Sequence, residues 1–397
     1  MNFILFDDQQ IRNNLLPLTF MRPVAEIRIG ILTIREKWEK LLNVSTSTLT
    51  ENYLGDKYPM VKGEINMLIN GAVCPDEDLL KAINKLKSGQ VLIGNDIILA
   101  LCIEEAELSD SADIDLSGID EIEYSGTPLI INNTWDIFSL NGEALQCDFE
   151  LITKGRKSEK PSATNRILGD MSNLFIEPGA KVEMATINLE TGPVYIGKDA
   201  HIMEGCMIRG PLALCEGSTL KMGAKIYGPT TVGPYSKVGG EVNNSVFFGY
   251  SNKAHDGFLG NSVIAEWCNL GADTNNSNLK NSYDKVRLWN YPQSSFVDTG
   301  LQFCGLIMGD HSKTAIGTMF NTGTVVGVNC NIFGSGFHRN FVPSFSWGGT
   351  AGFKIYNLKK AIQVAEAVYS RRNKEFDETE KELLSAVFDL TAANRYL

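Results

Sequence analysis

The sequence predicts an α/β sheet domain followed by a parallel β-helix of hexapeptide repeats and a helical tail. Three observations carry this expectation. The front of the chain alternates short apolar runs with helical stretches. Further on, aliphatic residues recur at every sixth position: Ile196, Ile202, Ile208, Leu214, Leu220, Ile226, Val232 and Val238. Glycine, at 37 of 397 residues, is concentrated in the second half.

Composition bounds the function classes. The chain is 43% hydrophobic and 21% charged, with a formal charge of −11. That balance argues against a nucleic-acid partner, which needs a basic face, but leaves room for a small anion held by a few local arginines. No segment approaches the ~18 unbroken apolar residues of a membrane span. The opening Met1–Asp8 reaches acids too early for a secretory signal. The eight cysteines contain no CxxC pair and read as reduced, mostly buried thiols of a cytoplasmic protein.

In chain order, Phe3–Phe6 reads as a strand and Ile27–Leu42 as a helix. Asn66–Asn70 is a strand, Asp76–Lys87 a helix, and Gln90–Ile93 and Pro128–Ile131 are further strands. The polar run from Thr153 to Ser162 reads as a linker. The expected boundaries are an α/β domain over 1–152, a linker over 153–165, a β-helix over 166–350 and a helical tail over 351–397.

A period of six fits neither the 3.6 of a helix nor the 2 of a strand. It suits a chain wound around a triangular prism whose sides are short strands. The aliphatic residue points inward, and a small residue four places later lets the corner turn, as at Ala200, Cys206, Ser218, Ala224, Thr230 and Ser236. Stacked coils then pair as parallel strands and bury a core that no single coil could build. The pattern begins at Ile176 and Val182, slips near Thr191–Pro193, and resumes at Leu259, Ile264, Leu270, Ile316, Val326 and Ile332. Residues 275–305 break register and read as a loop thrown out of the prism. In the tail, Ile355, Leu358, Ile362, Ala365 and Tyr369 share a helical face. Asp377 with Glu380 opens a last helix carrying Leu383, Leu384, Val387 and Phe388.

Asn252-Lys253-Ala254-His255-Asp256-Gly257-Phe258-Leu259-Gly260, continuing to Asn269-Leu270-Gly271-Ala272-Asp273-Thr274, resembles the acetyltransferase stretch of one bacterial family. That family is the bifunctional N-acetylglucosamine-1-phosphate uridyltransferase/glucosamine-1-phosphate acetyltransferases, and the chain is similar to a divergent, sugar-nucleotidyltransferase-like member. The resemblance implies a Rossmann-type, nucleotidyltransferase-like front domain and a left-handed β-helix. His255 would be the general base that takes a proton from the 2-amino group of a sugar as its nitrogen attacks the acetyl-CoA thioester. Phe258 stands where the family has a tyrosine that contacts the sugar phosphate, and Asn269 matches a sugar-contacting asparagine. Asn243, twelve residues before His255, replaces a family lysine at the substrate. The Ala272 N–H would face the developing oxyanion, and Asn278 would lie near the cofactor. The resemblance also implies a homotrimer with sites between neighbouring prisms, acting on a sugar phosphate or nucleotide sugar.

The same resemblance implies nucleotidyl transfer in front, with Mg²⁺ and a Gly-rich phosphate loop. Here the first strand runs into Asp7-Asp8-Gln9-Gln10, the first glycine is Gly30, and the Gly-Asp that would hold Mg²⁺ is Asn70-Gly71. Arg12, Arg22 and Arg28, with Arg35 and Asp7 or Asp8, are the candidates to rebuild a nucleotide-phosphate site, and Asp136 is an alternative metal ligand. Uridylyl or thymidylyl transfer to a sugar 1-phosphate is the alternative activity, and a trimeric scaffold that binds sugar nucleotides without turnover is a third reading. The four histidines (201, 255, 311, 338) lack the paired spacing of a zinc site, and no metal is expected in the β-helix.

Overall fold

The computed structural model describes residues 2–108 and 118–396. The chain forms two compact units, one of residues up to Ile27 with Leu32–Asn133, the other of Arg28–Ile31 with Thr134–Leu397.

In the first unit, β1 (Asn2–Phe6), β2 (Ser47–Leu49), β3 (Ile65–Asn70), β4 (Gln90–Gly94), β5 (Ile97–Glu104) and β6 (Asp120–Glu123) form one sheet in the order β2-β1-β3-β5-β4-β6. β1 runs parallel to β2 and β3, whereas β5 is antiparallel to β3 and β4. Ile4, Phe6, Leu68, Val91 and Leu101 bury one face together. Helix α1 (Gln9–Asn14) follows β1 at once, because the Asp8 carboxylate accepts the Ile11 N–H and caps it.

Three expected elements of this region are shorter than the periodicity suggested. Helix α2 spans Ile34–Leu42 and starts seven residues after Ile27. Its beginning is set by the Thr33–Glu36 capping box, in which each side chain accepts the other residue's backbone N–H. Helix α3 spans Glu77–Ile83 behind the Asp76 cap and stops short of Lys87. The 128–131 strand is reduced to a bridge between Val73 and Ile130, in keeping with Pro128, which has no N–H to give a ladder.

The second unit is a parallel β-helix whose coils stack into three sheets. Each coil repeats its register on the next, as in Ile187↔Ile208↔Ile226↔Val242↔Leu259 on one side and Val182↔Ile202↔Leu220↔Val238 on another. All eight aliphatic residues of the six-residue series are buried inside the prism. Ile316 is the exception among the later positions: it is 80% exposed, and Phe320 fills the interior in its coil. The loop expected over 275–305 is also narrower. Asn275–Asn276 still pairs with Met319–Phe320, and the excursion closes with a Leu279–Phe303 bridge. It carries an antiparallel hairpin, Arg287–Asn290 with Ser295–Asp298, whose Trp289 stacks on Phe341 at 4.2 Å.

Residues 134–153 fold with the β-helix, as α4 (Asp136–Ser139) and α5 (Asn141–Thr153). Asn141 Oδ1 accepts the Gly30 N–H and Asp148 Oδ2 accepts the Ile31 N–H, while Thr231 on the prism donates to the Gly30 carbonyl. These bonds hold the short 28–31 segment in this unit. One corner of the prism is a column of left-handed residues, Tyr235, Tyr250, Trp267 and His311. Their rings stack, with Tyr250 and Trp267 at 4.3 Å, and Trp267 in turn carries Tyr369 at 3.9 Å. That aromatic ladder docks α6 (Leu358–Ser370), whose Ala361, Ala365 and Tyr369 are buried. Helix α7 (Glu378–Leu390) is capped by Asp377 and buries Leu383, Leu384 and Val387.

Candidate active site

His255 lies on the turn between Asn252–Lys253 and Phe258–Gly260, at a corner of the prism. Its side chain is exposed. Gly257 makes the turn possible. Its φ is +121°, and a Cβ there would meet the Thr274 carbonyl of the next coil at 2.3 Å. The next coil passes directly above, with Asp273 donating to the Asp256 carbonyl at 3.0 Å. Ala272 is therefore stacked on His255. The two share an open pocket of about 430 Å³ with Lys221, Met222, Gly240, Ala254, Asp256 and Asp273. The Ala272 carbonyl accepts from Gly317, while its N–H makes no backbone hydrogen bond among the described residues.

The other candidates of the β-helix divide between two faces. Phe258, Asn243 and Asn278 gather on the face that follows His255. Asn243 pairs with Gly260, a Cβ on Gly260 would meet both the Phe258 ring and the Asn278 amide, and Asn278 donates to Asn261 Oδ1 at 2.8 Å. Asn269 sits on the face before the corner, between Asn252 and Lys313 in register. The structure thus brings His255 and Ala272 into one pocket and sets Asn269 to one side of it and the Asn243–Phe258–Asn278 group to the other.

One site residue was missed by the sequence reading. Lys253 is 1% exposed and projects into the prism, in the column otherwise filled by Val182, Ile202, Leu220 and Val238. Its Nζ donates to the Gly239 carbonyl at 3.0 Å and to the His255 carbonyl at 2.8 Å, tying two successive corners together. Burial lowers its pKa to about 8, against the opposing pull of Asp256 and Asp273. A coil shortened after Val238 hides this inward position from a strict count of six.

A pH effect on stability follows. The folded value lies below the usual 10.5, so between about pH 8 and 10.5 the unfolded chain holds a proton that the folded chain has released. The contribution of this lysine to stability should rise with pH across that window, by at most about 3 kcal/mol. Lys313 behaves alike, with a pKa also lowered to about 8 by burial. Burial pushes the Cys268, Cys304 and Cys330 thiols up, which opposes the rise above about pH 9. The lysine is therefore read as the difference between wild type and Lys253→Met in urea unfolding from pH 7 to 9, where the variant should show about half the upward slope. An unchanged slope in the variant would contradict the assignment.

In the first unit Arg12 is 2% exposed and occupied within the fold. It donates to Asp7 at 2.8 Å, to the Arg22 and Thr19 carbonyls and to the Tyr53 hydroxyl. Asp7 accepts in addition from the Val24 N–H and from Thr50, so both of its oxygens are engaged. Burial pushes the Asp7 carboxyl up, against the pull of Arg12. Arg22 is buried and donates to the Leu18 carbonyl. Arg28 belongs to the other unit, where it donates to the Phe248 and Ile31 carbonyls. Arg35 pairs with Glu26 and bonds to Thr46 and Thr48. The four arginines therefore work as internal ties. Asp7 does not suit Mg²⁺, because its lone pairs already serve Arg12, Thr50 and Val24. Asp136 opens the short α4 in the second unit. Among the described residues no group of three His, Cys, Asp or Glu could hold a metal ion. His311 belongs to the aromatic ladder, and His338 is buried against Phe320, where burial lowers its pKa.

Comparison with known proteins places these features. Residues 3–157 match the family described as sugar nucleotidyl transferase. A bifunctional protein GlmU from Methanocaldococcus jannaschii is 31% identical over 121 residues, 30% of this chain and 27% of that protein. A bifunctional sugar-1-phosphate nucleotidylyltransferase/acetyltransferase from Sulfurisphaera tokodaii is 26% identical over 235 residues, 58% of this chain and 51% of the relative. A GlmU from Methanococcus vannielii is 26% identical over 288 residues, 68% of this chain and 62% of its own length. The chain thus spans between about a quarter and three fifths of the curated relatives it matches. Among solved structures, a UDP-N-acetylglucosamine acyltransferase from Campylobacter jejuni covers 58% of this chain and 96% of its own at 15% identity, with a TM-score of 0.19. What the comparisons define is a front region, residues 3–157, that is similar to the sugar nucleotidyl transferases, followed by a parallel β-helix. Over part of its length the chain is similar to proteins named as bifunctional sugar-1-phosphate nucleotidylyltransferase/acetyltransferases, at 26–31% identity.

Proposed function

We propose that the β-helix transfers an acetyl group from acetyl-CoA to the amino group of a sugar phosphate or nucleotide sugar. The observation that carries this is the shared pocket of His255 and Ala272, with an exposed imidazole beside a backbone N–H that no backbone carbonyl accepts. His255 takes the proton of the attacking amine, and the Ala272 N–H receives the oxygen of the thioester carbonyl as it gains charge. The nitrogen–carbon bond forms, the carbon–sulfur bond breaks, and the thiolate leaves with the proton. The pocket is shallow and open to solvent on its outer side, which fits a site completed by a neighbouring copy. Met222 in this pocket is 69% exposed, Met207 and Tyr227 on the adjoining face are 64% and 42% exposed, and together they support a homotrimer. The relatives' printed activities agree with this reading.

Nucleotidyl transfer in front is supported by the match over 3–157 and by the name of the Sulfurisphaera tokodaii relative. The closed Asp7–Arg12 pair and the helix that replaces a Gly-rich loop favour ligand binding or packing in that unit over phosphoryl chemistry. Release of free thiol from acetyl-CoA with glucosamine 1-phosphate and a panel of amino-sugar nucleotides tests the proposal. Pyrophosphate release with Mg²⁺ in its place would transfer the function to the front unit.

A further inference from the structure

The chain carries a surplus of acids, yet one stretch of the β-helix beside the His255 pocket is basic. Lys237 points outward from its coil, in register with Asn252 on the next. Arg372, just beyond α6, donates to Asn252 Oδ1 at 3.3 Å, which sets its guanidinium on the same face. Asn252 is in turn in register with Asn269. Lys221 lines the pocket that holds His255 and Ala272. Lys221 follows the strand whose Thr219 is in register with Lys237, and burial first, then the like charges of Arg372, Lys221 and Arg371, lower the Lys237 pKa. Asp256 and Asp273 line the pocket with Lys221, on the side of His255. Among the described residues, none of the four cations forms an ion pair with an Asp or Glu.

Four mutually repelling cations on an acidic chain cost free energy when nothing answers them. On the neighbouring face Lys225 meets Glu241 at 3.6 Å, whereas these four cations are gathered from two stretches of chain with no carboxylate of the described residues in ion-pair reach. An arrangement left unpaired beside a pocket is suited to an anion delivered from solution. Two arginines and two lysines offer forked and point donors for the oxygens of a phosphate. The cluster joins two stretches distant in sequence, and it exists because Trp267 docks Tyr369 and fixes the end of α6.

We propose that Lys221, Lys237, Arg371 and Arg372 form a phosphate subsite that holds the phosphate of a ligand whose reacting end lies at His255. The subsite deepens the acetyl-transfer reading and rests on it for the meaning of His255, but binding itself is testable without turnover. The phosphate has two sources, the 3′-phosphate of coenzyme A or the phosphate of the sugar acceptor.

The test is calorimetric binding of coenzyme A, 3′-dephospho-coenzyme A and glucosamine 1-phosphate to the full chain. The proteins compared are the wild type, Lys237→Gln/Arg372→Gln, and Lys157→Gln/Lys160→Gln as a distant charge control. Far-ultraviolet circular dichroism and thermal unfolding establish that each variant is folded. Each lost charge-assisted contact is worth roughly tenfold in affinity, so the double variant should bind its phosphate ligand about 100-fold more weakly. Weakening of coenzyme A alone, with 3′-dephospho-coenzyme A unaffected, assigns the cofactor. Weakening of glucosamine 1-phosphate alone assigns the acceptor. Equal affinities in wild type and double variant, equal weakening by the distant control, or absence of binding of all three probes to the wild type would overturn the subsite. His255→Ala separates the two readings: patch-dependent binding that persists in a protein showing no thiol release leaves the subsite standing while the acetyl-transfer reading falls.

Discussion

Replacing His255 by alanine is expected to lower the rate of acetyl transfer by about 10²–10⁴-fold, the range that a positioned general base contributes. The side chain is exposed and its carbonyl, not its imidazole, is what Lys253 holds, so the substitution should leave the fold intact. Thermal unfolding of the variant should match the wild type within about 0.5 kcal/mol, as for other surface changes. Steady-state kinetics should place the loss in kcat with little change in KM, because the base acts on the proton in the transition state. A loss confined to KM would make His255 a binding residue. Unchanged turnover would remove it from the chemistry.

The second large effect lies in the front unit. Arg12→Met should cost about 3–5 kcal/mol of unfolding free energy, because it leaves the buried Asp7 carboxylate without its cation. Asp7 would retain only the Val24 N–H and Thr50 as donors. Arg12→Met combined with Asp7→Asn should recover part of the loss, since no uncompensated charge then remains. Urea denaturation of the single and double variants measures this. A single variant that unfolds like the wild type but no longer binds a nucleoside triphosphate would show that the arginine serves a ligand instead.

The β-helix was legible because its period is a direct image of its geometry. Every sixth residue from Ile196 to Val238 enters the core, so the count and the structure describe one object. Ile316 escaped because the chain re-enters the prism after the hairpin in a new phase, and Phe320 takes the interior place. Lys253 was hidden for a related reason, as a polar residue at an inward position after a shortened coil. The corner of His255 was readable from the run around Gly257, whose positive φ allows the close approach of the next coil. The density of arginines near the start of the chain draws attention to a phosphate site, whereas the structure shows what each of them holds within the fold. A sequence reports that Arg12 carries charge but not that Thr19, Arg22, Tyr53 and Asp7 surround it, since those contacts depend on the closure of the loop. The basic patch was equally unreadable, because Lys237 and Arg372 are brought together by the docking of α6.

The corner at His255 and Ala272 is proposed to move an acetyl group onto a sugar amine. The most direct measurement is mass spectrometry of the acceptor after incubation of the purified protein with ¹³C-labelled acetyl-CoA and amino-sugar phosphates, alongside thiol release. The account predicts label on the amino nitrogen of one acceptor, one thiol released per acetyl group transferred, and loss of both in His255→Ala. A folded protein that transfers label to none of the acceptors and releases no thiol would contradict it.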